Sequence, residues 1–243
     1  MDIIHFENFT EWFMGINPRG LVPTIVHDGD VHIESNDIIE YVDANFPGQA
    51  LFPSDPEEAA FVQASMTEED DMHLSVRALT FRYMLPYEMM KKSDEAVDTM
   101  EAEGGDTVAG VVDGRKAIEV KFWRDMNANK GITDDQVIAA VKDFNGAFAK
   151  LDARLAAHEW LLASGFSALD ISWWITVFRV TKLGFPTENF PNLFAWYEKL
   201  LAREEFAREV GAPPEVIEMS MAHQASCAAD GKSMVQIMDA NGL

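Results

Sequence analysis

A single cysteine, Cys227, in 243 residues has no partner for an intramolecular disulfide. The fold is therefore not a stapled scaffold, and a reducing compartment suits it. Cations are scarce too: 19 Lys and Arg stand against 41 Asp and Glu, a formal charge of −22. Phosphate backbones and anionic bilayers both require a basic face, so neither nucleic acid nor a membrane surface is an expected partner. No apolar run approaches the roughly 20 residues of a membrane span, and the opening residues do not read as a secretory signal. The expected location is the cytoplasm. Glycine patterns that cradle phosphate or build a nucleophile elbow are missing as well, and Gly104-Gly105 follows acids that would repel phosphate. The six histidines lack the spacing of a closed ligand set, so no metal is expected. His27 and His32 read as a polar hairpin face, and Glu68-Glu69-Asp70-Asp71 with His73 as a solvated run. Cys227 has no basic neighbour in sequence that would make it a catalytic thiolate. What is plentiful is apolar surface: 48% of the chain is hydrophobic, with 16 Phe and 6 Trp, enough for a substantial core.

The most informative stretch runs from Asn17 to Pro47. Asn17-Pro18-Arg19-Gly20 is a turn, since Pro18 fixes φ and Gly20 supplies a conformation other residues resist. A short β-branched run, Leu21 to His27, follows; Pro23 confines its start to a strand's first residues or an edge. Asp28-Gly29 is a hairpin signal, with Val31-His32-Ile33 as the returning strand. Ser35 is the natural N-cap of a helix whose face is marked by Ile38, Ile39, Val42 and Phe46. If the Val22-Pro23 bond is cis, the backbone N–H and C=O of Val22 face outward, open to an extended peptide. The Ser35 hydroxyl and the first N–H groups of the helix form an anion site, and Glu34 is placed to take an ammonium. A ligand with both groups on one carbon, followed by a peptide, fits; glutathione is one. Between Met1 and Ala50 the only Lys or Arg is Arg19, which reads as an ordinary solvated turn residue against nine acids from Asp2 to Asp43.

Asn17-Pro18-x-Gly20-x-Val22-Pro23 followed by Glu34-Ser35-x-x-Ile38-Ile39-x-Tyr41 resembles the second half of the thioredoxin-like domain of glutathione S-transferases. Ser167-x-x-Asp170 resembles the capping box of the family's helical domain. Within the family, Ile16 to Gly20, Asp55-Pro56, a long insertion before Lys121-x-Trp123-Arg124, and Gly165-Phe166-Ser167-x-x-Asp170-Ile171 resemble bacterial glutathione-dependent β-etherases acting on lignin-derived aryl ethers. The first and last of these are the close matches. The resemblance implies an α+β two-domain fold, a truncated thioredoxin-like N-terminal domain followed by an all-α helical bundle, and a homodimer. It implies a site made by Val22, Pro23, Glu34 and Ser35, with glutathione and a small hydrophobic or aromatic substrate as partners. In such enzymes the glutathione thiolate attacks an electrophilic carbon, and in β-etherases an aryloxide leaves. The family's first strand and helix, and the Ser, Tyr or Cys that activates the thiol, would precede Met1, so the catalytic residue is expected upstream. Two readings follow: a chain whose start lies further upstream, or a catalytically impaired scaffold serving as a binding or interaction module.

The rest of the chain is expected to be helical. Residues 1–48 form the glutathione-binding domain, with Asp2–Phe6 as a strand; 49–56 are a linker, 57–211 the helical domain and 212–243 a loosely packed extension. Lys91 to Gly114, rich in glycine and acids, reads as a long loop or mobile insertion. Ile118 to Met126 reads as a short helix with Phe122 and Trp123 inward. Thr133-x-x-Gln136 is a capping box, and Val137, Val141, Phe144, Phe148, Leu151 and Leu155 trace one helical face behind it. The wholly apolar helix after Ser167 is expected in the middle of the bundle, with at least one of Trp173 and Trp174 in its core and a substrate pocket for aromatics as the alternative role.

Overall fold

The structure is a computed structural model, described here for residues 7–102, 107–108, 111–112 and 114–243. The expected Asp2–Phe6 strand and Gly104-Gly105 lie outside the described residues. The chain divides into two compact units, one made of Met1–Pro47 with Lys91–Gly131 and the other of Gly48–Met90 with Ile132–Leu243.

The first unit holds a two-stranded antiparallel hairpin, Thr24–His27 with Asp30–Ile33, followed by the helix Ser35–Asn45. Asp28 and Gly29 take φ of 52° and 94°, the left-handed pair that lets a two-residue loop follow the twist of the strands. Strand alternation puts Ile25, His27, Asp30 and His32 on one face, while Val26 and Val31 on the other are 56% and 46% exposed. The histidines do not make a polar hairpin surface, because Tyr41 of the following helix packs on them. Its ring stacks on His32 at 3.6 Å, and its hydroxyl lies 2.6 Å from His27 Nδ1. The unit also holds the short helix Glu11–Met14, the small hairpin Thr107–Val108 with Val111–Val112, and two longer helices, Asp94–Ala102 and Arg115–Asn129. The first of these longer helices corrects the expectation of a loop: Ser93 Oγ accepts from Ala96 N–H at 3.1 Å, and Asp94 and Glu95 sit in the first turn, where acids favour the helix dipole. Val97 is wholly buried with it, against a second helix that buries Phe122, Trp123 and Met126.

The second unit is built around the helix Asp134–Leu155. Thr133 and Gln136 close its start reciprocally, and all six residues of the expected stripe are buried. The helix Ala168–Lys182 buries Trp173 and Trp174 together, their indole N–H groups donating to Ser65 Oγ at 3.0 Å and to the Tyr197 carbonyl at 3.2 Å. It is not covered all round, since Ile175 stays 42% exposed. Its capping box is buried. Asp170 is fully buried and accepts from Ser167 N–H (2.9 Å), Ser167 Oγ (3.1 Å), Leu161 N–H (3.1 Å) and Trp196 Nε1 (2.9 Å). Burial pushes its carboxyl above the usual range, against the pull of those donors.

Two further expectations change. Glu69, read as solvated, accepts from the Ser172 and Thr176 hydroxyls of the Ala168–Lys182 helix. The C-terminal segment is loosely packed only in its first helix, which buries no residue. It forms the helices Pro214–Ala229 and Met234–Asn241, and the second docks Met234, Ile237 and Met238 against the Asp134–Leu155 helix behind a Ser233/Gln236 capping box. Spacing of three and four puts those apolar residues on one face.

Candidate functional site

The site predicted from sequence lies wholly in the first unit. Its foundation is Asn17, 2% exposed. The Asn17 Nδ2 donates to the Leu21 carbonyl at 2.8 Å and to Thr24 Oγ1 at 3.2 Å; its Oδ1 accepts from Arg19 N–H at 3.1 Å. Gly20, at φ 64°, closes the turn by donating its N–H to the Asn17 carbonyl at 2.9 Å, and Asn8 Nδ2 donates to the Gly20 carbonyl from the other side. Both flanks of Val22-Pro23 are thus tied to one amide side chain, which leaves the dipeptide as a raised edge. The Val22-Pro23 bond is cis. Among the described residues neither the N–H nor the C=O of Val22 has a hydrogen-bond partner, and Val22 is 47% exposed.

The helix of the site begins one residue earlier than its sequence suggests. Glu34, not Ser35, occupies the N-cap position, with φ 70° and ψ 123°, and Ser35 is the first helical residue. The Ser35 hydroxyl is exposed and takes no hydrogen bond among the described residues, so it caps nothing. The first N–H groups of the helix have no carbonyl one turn back to serve them.

Glu34 itself is engaged. Arg19 Nη1 donates to its Oε1, and Arg115 Nη1 to its Oε2 at 2.6 Å. Arg19 is therefore no solvated turn residue; its side chain is 13% exposed. Arg115, at the start of the Arg115–Asn129 helix, is a neighbour of the candidate site that sequence reasoning missed. One signal was available: a cation in the first turn of a helix opposes the dipole and calls for a partner. Each such charge-assisted bond is worth about 1.5–3 kcal/mol, and less where water reaches it. The structure thus brings Val22, Pro23, Glu34 and Ser35 into one unit and adds Arg19, Asn17 and Arg115 to them. Among the described residues no group of three or more His, Cys, Asp or Glu is placed to hold a metal.

The candidate site therefore joins a main-chain edge, a helix start and two guanidiniums, and comparison with known proteins places the chain in a family. Residues 2–45 match the N-terminal domain of glutathione S-transferases and residues 123–199 match the C-terminal domain. Protein LigF of Sphingobium sp. (strain NBRC 103272 / SYK-6) is 26% identical over 212 residues, 84% of this chain and 78% of LigF. The tetrachloro-p-hydroquinone reductive dehalogenase of Sphingobium chlorophenolicum is 24% identical over 203 residues, covering 82% and 79%. Among solved structures, that of β-etherase LigF matches with a TM-score of 0.67 at 24% identity, over 85% of this chain and 84% of the other. A theta class glutathione S-transferase from Xanthomonas axonopodis pv. citri, solved with glutathione bound, matches with a TM-score of 0.58 at 23% identity, over 85% and 80%. With residues 2–45 matched by one domain of the family and residues 123–199 by the other, the chain belongs to the glutathione S-transferase family.

Proposed function

We propose that the protein is a glutathione-dependent transferase acting on an aromatic electrophile, with a β-aryl ether as the preferred substrate, and that Val22, Pro23, Glu34 and Ser35 hold the tripeptide. The observation that carries this is the unpaired main chain of Val22. One N–H and one C=O side by side offer an extended peptide two points of pairing, and Pro23, having no N–H, adds no competing donor. The exposed Ser35 hydroxyl and the first N–H groups of its helix support a carboxylate. Asn17 keeps the Val22 edge in place, and Arg19 and Arg115 keep Glu34 in place. When bound, glutathione supplies a thiolate that forms a bond to the carbon beside a ketone as the aryl ether bond breaks and aryloxide leaves. The choice of an ether rests on the likeness to LigF, whose solved structure is that of a β-etherase, and the aromatic character on the dehalogenase, whose name specifies a hydroquinone.

Calorimetric titration with glutathione tests the binding half, and chromatographic detection of phenol released from an α-keto β-aryl ether tests the chemical half. Wild-type protein is expected to bind, and Ser35→Ala to bind about tenfold more weakly, the loss of roughly 1.5 kcal/mol. Absence of binding by the wild type overturns the reading. Binding without glutathione-dependent release of phenol would instead make the protein a glutathione-binding module.

A further inference from the structure

Cations are outnumbered in this chain, 19 against 41 acids, so a guanidinium without an acid partner is not left so for want of acids. Arg154, half-buried in the last turn of the Asp134–Leu155 helix, is such a group. Its Nε donates to the Leu161 carbonyl, and its Cζ lies over the Phe61 ring, 3.9 Å from the centroid. Neither of its terminal nitrogens has a hydrogen-bond or ion-pair partner among the described residues. Half-buried charge is ordinarily paired, because removing it from water is costly.

Arg154 borders a cavity of about 260 Å³, lined from the helices Pro56–Asp71, Asp134–Leu155 and Ala168–Lys182. Phe61 and the buried Trp173 give it aromatic walls. Ser65, 7% exposed, lines it too; its Oγ accepts from the Trp173 indole N–H at 3.0 Å. The hydrogen of that hydroxyl has no acceptor among the described residues. Glu68, an acid on the same wall, is paired with Lys150, which also borders the space. The groups left unfilled are therefore all donors. A guanidinium fork matches the two oxygens of a carboxylate, and aromatic walls match a flat apolar ring. The volume lies just under the roughly 300–1,000 Å³ of pockets for drug-sized molecules, which limits the ligand to about one or two rings.

We propose that this cavity of the helical unit binds a small aromatic carboxylate, with Arg154 and the Ser65 hydroxyl donating to the carboxylate and Phe61 and Trp173 packing on the ring. The inference stands on the helical unit alone and does not rest on the reading of the hairpin as the glutathione site.

Calorimetric titration of the full chain with benzoate, and with benzamide as the same ring without the charge, tests it. Benzoate is expected to bind saturably, with Kd at least about tenfold below that of benzamide. Arg154→Gln should erase that preference. Ala64→Phe, at an exposed position on the cavity wall, should fill the space and weaken benzoate at least about tenfold, while Ser35→Ala should leave benzoate unchanged. A purely structural Arg154 would leave the preference intact in Arg154→Gln, and that result overturns the proposal. Should Arg154→Gln fail to fold, Ala64→Phe decides: full benzoate affinity in that variant places the ligand elsewhere and overturns the proposal. Loss of benzoate binding in Ser35→Ala would assign it to the hairpin and overturn the proposal equally. So would a wild type that binds neither ligand, or both alike.

Discussion

The helices Ser35–Asn45 and Asp134–Leu155 both carry an apolar stripe in sequence, yet the first buries no residue completely and the second buries eight. The difference lies in what each stripe meets. The longer helix faces other helices on several sides, and Phe144 and Phe148 pack edge-on with Phe185 and Phe190. The shorter helix meets a two-stranded hairpin, where Tyr41 covers His32 while Val42 and Phe46 stay 40% and 44% exposed. Among the described residues this hairpin has two strands, and two strands alone are marginal in water. Polar side chains therefore fix much of the hairpin geometry: Asn17 across Val22-Pro23, and Arg19 with Arg115 on Glu34. One region is held by area removed from water and the other by a few directed contacts. Such contacts leave a backbone edge open for a ligand, which a dense core does not.

The largest consequence is in local stability. Amides of residues 137–151 and 171–180 are expected to exchange only through global opening, at a cost of about 5–15 kcal/mol for a domain. Amides of residues 24–33 should exchange at least about 100-fold faster, through opening of the hairpin alone. Hydrogen exchange read by mass spectrometry tests this, and equal protection of both regions would break the contrast. Glutathione at saturating concentration should slow exchange in residues 20–36 and leave 137–151 unchanged.

Next in size is the loss of the buried Asp170. Asp170→Ala orphans the Leu161 N–H, the Ser167 N–H and the Trp196 indole N–H in a dry site, each worth about 1–3 kcal/mol. Since neighbouring losses overlap, about 3–5 kcal/mol is expected, read from the urea midpoint. The pH dependence has a defined sign. Burial raises the Asp170 carboxyl above its ordinary value of about 3.9, so between that value and the raised one the folded state holds a proton that the unfolded state has released. Stability therefore falls as pH rises through that window. Asp170→Asn, which cannot ionise, should be less stable overall, and its midpoint should lack that fall.

Local chemistry made most of the helical unit legible in the sequence. Thr133/Gln136 and Ser167/Asp170 are boxes closed within four residues, and the stripe from Val137 to Leu155 states its own buried face. The hairpin was legible for the same reason, through Asp28-Gly29. The contacts that complete the site were not, because they join positions far apart. Arg115 reaches Glu34 across 81 residues of chain, and no spacing rule connects a cation behind a glycine-rich stretch to a strand end. His27 and His32 were misread because the alternation gave them a face but not what lay on it. Glu69 was taken for solvent because its partners, Ser172 and Thr176, lie more than 100 residues on. The C-terminal helix shows the opposite error: Ser233/Gln236 and the 234/237/238 spacing were readable, and small neighbouring residues hid them.

The smallest expected effect is also the most local. Gly29, at φ 94°, sits in the hairpin loop with nothing within 4 Å of where a Cβ would stand, so Gly29→Ala meets no clash and reports only backbone preference. Holding a residue with a side chain in the left-handed region costs about 1–2 kcal/mol. In a region whose opening is already inexpensive, that is enough to change exchange of the amides in residues 24–33 by about tenfold. The same substitution should leave exchange of residues 137–151 unaltered, since nothing in the loop contributes to that core. Glutathione affinity should fall by less than the hairpin stability, because binding refolds the edge and only the opened fraction is lost. A Gly29→Ala protein with an unchanged hairpin would mean that more than the two strands holds the loop, and the contrast between the two regions would have to be redrawn.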